Sequence, residues 1–332
     1  MNQKEQPILR VIDLKKYFPV VGGVFLKQKG WVHAVDQVSF DLHSGETLGL
    51  VGESGCGKTT LGRCIMGLYP ITSGSVMFKG QDLSNLDRPS KRQMRLKMQM
   101  IFQDPFESLN QRHTVREILG EKYRIHRKKE QSLDRSLVRL LEVVGLGERA
   151  LERFPHEFSG GQRQRIGIAR AVSLDPDLII CDEPVSALDV SVQSQILNLL
   201  LTLQEKMGLT YLFISHDLSV VRHVSDRIAV MYLGRIVEMA DRDDLFAHPL
   251  HPYTRALLSA IPAVDPLVKR KRTILTGELP SPENPPQGCR FHTRCPEVMD
   301  ICKKNEPLFK RIDKAGSDHF AACHLNDRGW HF

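Results

Sequence analysis

The run Gly52-Glu53-Ser54-Gly55-Cys56-Gly57-Lys58-Thr59 has the spacing G-x-x-x-x-G-K-T. Glycines at these intervals let the backbone curl until successive N–H groups face inward, which suits the oxygens of a phosphate chain. A helix beginning near Lys58 adds the partial positive charge of its N-terminus. Lys58 then neutralises β- and γ-phosphates, and the Thr59 hydroxyl ligates Mg2+. Gly52, Ser54, Gly55, Cys56, Gly57, Lys58, Thr59 and Thr60 form the expected nucleotide-contacting set. A second group closes the apolar run Leu178-Ile179-Ile180-Cys181-Asp182-Glu183. In a protein with such a loop, the first carboxylate after a buried strand holds Mg2+, so Asp182 takes that role. Glu183, one residue on, can orient and deprotonate a water aimed at the γ-phosphorus. A two-carboxylate metal site of the polymerase kind explains the pair less well, because the upstream loop already accounts for it.

Four of the seven cysteines crowd the C-terminal part: Cys289, Cys295, Cys302 and Cys323, with gaps of five, six and twenty residues. Four thiolates suit a [4Fe–4S] cluster or a structural zinc. Zinc sites more often use C-x-x-C pairs, and no gap here is two, so the spacing leans to iron–sulfur. Four unligated, reduced thiols are the plain alternative. The flanking Gly277-Glu278-Leu279-Pro280-Ser281-Pro282 offers little apolar core, so a bound metal would help to order the tail.

The elements that must position these groups follow from hydrophobic patterning. Ile8 to Leu14, Trp31 to Leu42, Glu46 to Val51, Ser75 to Lys79 and Met98 to Phe102 read as strands, with a loop from Val20 to Gly30. Lys58 to Leu68 reads as the helix behind the phosphate loop. From Asp104 to Val172 apolar residues recur at helical spacing, as in Leu133, Leu137, Leu140, Leu141 and Val144, which marks a helical insertion. Strands return at Leu178 to Cys181, Thr210 to Ile214 and Ile228 to Met231, with a helix over Ser191 to Met207. Strands separated by helices imply a mostly parallel sheet in an α/β fold. Beyond about residue 262, repeated prolines break any regular element, and Lys269 to Arg272 is a basic run. That run suits a solvated linker, or contact with a membrane surface or an acidic partner.

The chain has 332 residues, 41% hydrophobic and 26% charged. Its length suggests about two domains. No apolar run is long enough to cross a membrane, and the polar start, Met1 to Glu5, lacks a secretory core, so neither a membrane span nor export is expected. Lys and Arg exceed Asp and Glu by 46 − 39 = 7, which favours an anionic partner without choosing among nucleotide, nucleic acid and membrane.

Phe158-Ser159-Gly160-Gly161-Gln162, followed by Arg163 to Ala171, resembles the signature of ABC-type ATPases, with Phe158 where Leu is usual. The resemblance covers Ile8 to about Leu258 and implies a P-loop NTPase cassette with a RecA-like core, an antiparallel β subdomain and a helical subdomain over about 104–172. It implies that Gln103 is the Q-loop glutamine, which ligates metal or water and couples to membrane subunits. It makes Ser186-Ala187-Leu188-Asp189 the D-loop, His216 the switch histidine at the γ-phosphate, and Phe18, beside Tyr17, the residue stacked on adenine. Two cassettes of this family face head to tail, so Ser159, Gly160, Gly161, Gln162 and Asp189 would serve a nucleotide held by the partner's phosphate loop. His251-Pro252-Tyr253-Thr254-Arg255, Gly277 to Pro282 and the cysteines resemble the C-terminal extension of dipeptide/oligopeptide importer ATPases, closest to the second, F-type subunit. The resemblance divides the chain into a cassette, 1–262, and a small irregular cysteine-bearing extension, 263–332. It implies a second, non-identical ATPase, two membrane permeases and an external peptide-binding protein as partners. It implies no nucleic acid, and a peripheral place on the cytoplasmic face of the bacterial inner membrane. Within that family, [4Fe–4S] clusters ligated by cysteines of this extension occur. An importer of nickel or another small solute, or a soluble ABC ATPase, is the alternative.

Overall fold

The structure is a computed structural model, and it describes residues 6–22, 27–126, 132–261, 275, 277–312 and 318–327. It comprises two compact units: Met1–Gln6, His43–Glu46 and Asn85–Ile214 in one, Pro7–Leu42, Thr47–Ser84 and Ser215–Phe332 in the other.

The second of these carries the phosphate loop. Its first sheet is antiparallel, in the order Lys27–Leu42, Leu9–Gly22, Ser73–Phe78, Gln81–Asp82. Leu9, Val11 and Leu14 are all buried although their spacing is not strictly two. A register shift between Val11 and Leu14, with Asp13 at φ 43°, returns Leu14 to the core face. The loop expected from Val20 to Gly30 is corrected at both ends: Val20 pairs Gly30, Val21 pairs Gln28 and Gly22 pairs Lys27. The ladder continues because its partners only need backbone groups, even where Val21 stands exposed.

The same unit holds Thr47–Val51, parallel to Arg227–Tyr232, with Arg235–Asp241 antiparallel on the far side. All five residues of Thr47–Val51 are buried, as a strand covered on both faces requires. Leu233 and Gly234, both at positive φ, make the tight turn between Tyr232 and Arg235. The phosphate-loop helix spans Lys58–Ile65 and stops short of the expected Leu68, because Gly67 at φ 66° takes the left-handed conformation that ends a helix. Toward the C-terminus the described residues add the helices Pro252–Ser259 and Asp300–Lys304 and the short strands Lys310–Arg311 and Phe320–Ala321, the latter paired with Arg235–Asp241. The basic run Lys269 to Arg272 lies outside the described residues.

The other unit contains three parallel strands, Met98–Ile101, Leu178–Asp182 and Thr210–Ser215, with Leu178–Asp182 central. The helical stretch predicted over 104–172 forms Pro105–Ser108, Val115–Ile125, Leu133–Val143 and Gly160–Val172. Thr114 and Glu117 close a reciprocal cap on the second of these, each satisfying a backbone N–H of the first turn. Arg88–Lys97 is a helix that apolar periodicity does not announce; Asp87 starts it by accepting from the Ser90 N–H, with Pro89 in the first turn. Among the described residues no helix is long and apolar enough to cross a membrane.

Candidate functional site

The phosphate loop is shaped by contacts that forbid side chains. A Cβ on Gly52 would lie 2.2 Å from the Met231 carbonyl oxygen. A Cβ on Gly57, at φ 108°, would lie 2.0 Å from that of Ala34. Gly57 is also the N-cap of Lys58–Ile65, so the tight turn delivers the chain directly into the helix N-terminus. Lys58 is buried, and its Nζ donates to the carbonyls of Gly52 at 2.8 Å and Glu53 at 3.0 Å, drawing its charge to the mouth of the loop. Ser54 and Gly55 are exposed, and Thr59 and Thr60 half-buried. Burial pushes the Cys56 thiol up against the pull of Lys58, so Cys56 is a neutral packing residue under the loop.

Residues distant in sequence hold this loop from outside. The Glu53 N–H donates to Tyr253 Oη at 2.9 Å, and Arg294 donates from both terminal nitrogens to the Glu53 carboxylate at 2.8 and 3.2 Å. Burial opposes the Arg294 charge, yet the pairing with Glu53 leaves its pKa above the ordinary value. Tyr253 packs edge-on against Tyr232 and beside the fully buried Phe291. Sequence reasoning missed this layer. The available signal was Glu53 itself, since a carboxylate in a loop built for phosphates calls for a cation beside it.

Phe18 is half-buried, edge-on to Tyr69 at 5.6 Å, with Lys16 Nζ 4.6 Å from its ring centre. Tyr17 is engaged elsewhere: its hydroxyl donates to Asp36 at 2.6 Å. Burial acts against the Asp36 charge, but Tyr17, Arg290 and Arg235 together hold its pKa below the ordinary carboxylate value. His216 is exposed just beyond Thr210–Ser215, where Asp217 caps the helix Leu218–Val224.

In the other unit Asp182 ends its strand 1% exposed, and Glu183 follows at φ 47°. That uncommon backbone turns the chain sharply at the strand end. Gln103 Nε2 donates to Glu183 Oε2 at 3.1 Å, so the structure brings the two expected residues together. Ser159 is the N-cap of Gly160–Val172: its hydroxyl accepts from the Gln162 N–H, and Gln162 Oε1 accepts from the Ser159 N–H. A Cβ on Gly161 would lie 2.5 Å from Val192 Cγ1, which leaves no room for a side chain. Asp189 is the N-cap of Val190–Met207 without a side-chain cap bond.

The four tail cysteines share one neighbourhood. The Cys289 N–H donates to the Cys302 carbonyl at 2.8 Å, and the Cys323 thiol feels those of Cys289, Cys295 and Cys302. Burial is the main cause that pushes Cys289 up to about 11 and Cys323 up to about 12, and it raises Cys295 as well. Thiols so raised are neutral while no cation lies beside them. Among the described residues no three His, Cys, Asp or Glu side chains are set to hold a metal ion, so the expected four-cysteine ligand set is gathered but not closed.

Residues 35–186 match the ABC transporter family, and residues 237–302 match the oligopeptide/dipeptide transporter C-terminal region. The chain is 55% identical to the oligopeptide transport ATP-binding protein AppF of Bacillus subtilis, over 97% of this chain and 98% of that protein. It is 50% identical to the dipeptide transport ATP-binding protein DppF of Haemophilus influenzae, over 92% and 93%. Among solved structures it resembles cbiO1 of Clostridium perfringens, part of the ABC transporter complex cbiONQ, at 25% identity and TM-score 0.62, covering 74% of this chain and 92% of that one. It also resembles the dimeric ATP-binding cassette MJ0796 in a post-hydrolysis state with ADP and Pi, at 26% identity and TM-score 0.63, covering 70% and 98%. With the phosphate loop, the signature and the C-terminal region all in one chain, this protein belongs to the ATP-binding subunits of the oligopeptide/dipeptide ABC transporter family.

Proposed function

We propose that this chain hydrolyses ATP to power import of dipeptides or oligopeptides through a membrane ABC transporter. The observation that carries the reading is the match that runs through the C-terminal region as well as the cassette, with relatives alike over nearly their whole length. We take 1–262 as the cassette, with its helical subdomain at about 104–172, and 263–332 as the extension.

In this reading Gly52 to Thr60 cradle the phosphates and Phe18 stacks on the adenine. Thr59, Gln103 and Asp182 hold Mg2+, which neutralises charge on the β- and γ-phosphates. Glu183 accepts a proton from the water as its oxygen bonds to the γ-phosphorus; the bond to the β–γ bridging oxygen breaks, leaving ADP and phosphate. His216 steadies the γ-phosphate. The Gln103–Glu183 hydrogen bond supports this assignment, because it holds the base by an amide that can pass its position onward. Ser159 to Gln162 and Asp189 meet the nucleotide of a second, non-identical ATPase. Closure on ATP and reopening after hydrolysis drive two permeases that receive peptide from an external binding protein. The subunit works at the cytoplasmic face of the bacterial inner membrane.

The cysteines enter as ligands of a [4Fe–4S] cluster, with zinc as the other fit. Four free thiols in one neighbourhood form a soft donor set suited to either, and a cation there would offset the burial that keeps them protonated.

The test is Glu183→Gln in the reconstituted transporter. MgATP binding stays within about twofold, and hydrolysis and peptide uptake fall about 100-fold or more, the range of a lost general base. Hydrolysis at the unchanged rate removes Glu183 as base, and stimulation by nickel rather than by peptide overturns the solute.

A further inference from the structure

Glu53 is the only acidic residue in the phosphate loop from Gly52 to Thr59. A carboxylate beside bound phosphates repels them, and it does so most strongly where protein shields it from water. The fold answers with Arg294, whose planar guanidinium meets both carboxylate oxygens, at 2.8 and 3.2 Å. The Arg294 side chain is 9% exposed and that of Glu53 28%, so solvent screens the pair only in part. The same Glu53 is tied at its N–H to Tyr253 Oη and at its carbonyl to Lys58 Nζ. Side chain and backbone are thus fixed together at the entry to the loop.

Arg294 lies in Cys289-Arg290-Phe291-His292-Thr293-Arg294-Cys295, a segment locked onto its surroundings. Arg290 pairs with Asp36 and donates to the Leu233 carbonyl. Phe291 packs against Tyr232 at 5.2 Å and Tyr253 at 5.4 Å. These contacts leave Arg294 little freedom to leave Glu53.

We propose that Arg294 is a positioning residue of the ATP site: it cancels the Glu53 charge and pins the first turn of the phosphate loop, so that the C-terminal extension completes the nucleotide site. The proposal rests on the reading of Gly52 to Thr59 as the cradle for ATP. It goes beyond that reading by giving the extension a part in nucleotide affinity.

The test measures MgATP affinity of the full-length subunit by calorimetry in a Glu183→Gln background, with the melting temperature recorded beside it. Arg294→Gln weakens MgATP about tenfold, by leaving Glu53 uncompensated. Adding Glu53→Gln recovers most of that loss, the non-additivity expected of a coupled pair. Arg255→Gln, which cuts a separate ion pair between the cassette and Glu297 of the extension, leaves affinity unchanged. Three results each overturn the proposal: unchanged affinity in Arg294→Gln, a loss that Glu53→Gln does not relieve, or an equal loss in Arg255→Gln. If Arg294→Gln does not fold, Arg294→Lys replaces it, since lysine cannot reproduce the two-pronged contact; a loss relieved by Glu53→Gln is again expected. Lys58→Ala separates the two levels: wild-type affinity there removes the cradle reading itself, whatever Arg294 shows.

Discussion

Substituting Gly57 by alanine tests the cradle directly, with Gly55→Ala as its internal reference. Both glycines have positive φ, 108° and 80°, so a Cβ at either costs about 1–2 kcal/mol in backbone conformation. Their surroundings differ. The added carbon meets nothing within 4 Å at Gly55, but lies 2.0 Å from the Ala34 carbonyl oxygen at Gly57. An overlap on backbone cannot be relieved by a rotamer change, so the loop must move, adding about 1–3 kcal/mol. The smaller entropy of the unfolded alanine chain returns about 0.4–1 kcal/mol at both positions alike, so it drops out of the comparison between them. Before that common return, the expectation is a loss of about 2–5 kcal/mol for Gly57→Ala against about 1–2 for Gly55→Ala, a difference of about 1–3 kcal/mol. At roughly 2–4 °C per kcal/mol for chains of a few hundred residues, melting followed by circular dichroism separates the two variants clearly. MgATP binding in Gly57→Ala falls with it, because the displaced turn carries the helix N-terminus and Lys58. Equal melting temperatures for the two variants, or wild-type binding in Gly57→Ala, would refute the geometry on which the cradle rests.

Two further outcomes follow from buried titrating groups. Desolvation pushes the pKa of His251 down to about 4 from 6.5, and its Nδ1 accepts from the Tyr253 N–H, which requires the neutral ring. The unfolded chain therefore binds the extra proton between these values: stability is complete above 6.5 and is lost as pH falls toward 4, by up to about 3 kcal/mol. Urea midpoints for wild type and His251→Gln should converge across that window, and a gap constant from pH 7 to 4.5 would exclude the effect. For the cysteines, anaerobic purification should yield iron and absorbance near about 400 nm, lost in Cys302→Ser; zinc alone would reject the cluster.

What was legible in the sequence was local. Gly52 to Thr59, Asp182-Glu183 and Ser159 to Gln162 declare themselves because a turn, a strand end and a helix start impose their demands within a few residues. The glycine at 67 that shortens the phosphate-loop helix, and the Asp87 that starts the helix at Arg88, are equally local, but hydrophobic periodicity does not register them. What was not legible was long-range. Glu53 and Arg294 are 241 residues apart, and neither looks unusual until they are placed together. The expected boundary near residue 262 came from composition, which marks where prolines interrupt the chain but not what the following residues pack against. Phe291 is 1% exposed in a tail whose sequence offers few apolar residues, because its neighbours Tyr232 and Tyr253 are supplied from upstream. A segment that borrows its core in this way holds its place through the contacts it makes, and those made by Arg290, Phe291 and Arg294 converge on Asp36, Tyr253 and the phosphate loop. The tail is therefore bound to the loop proposed as the phosphate cradle, where precise placement of groups matters most, which is the physical reason to look for its function there.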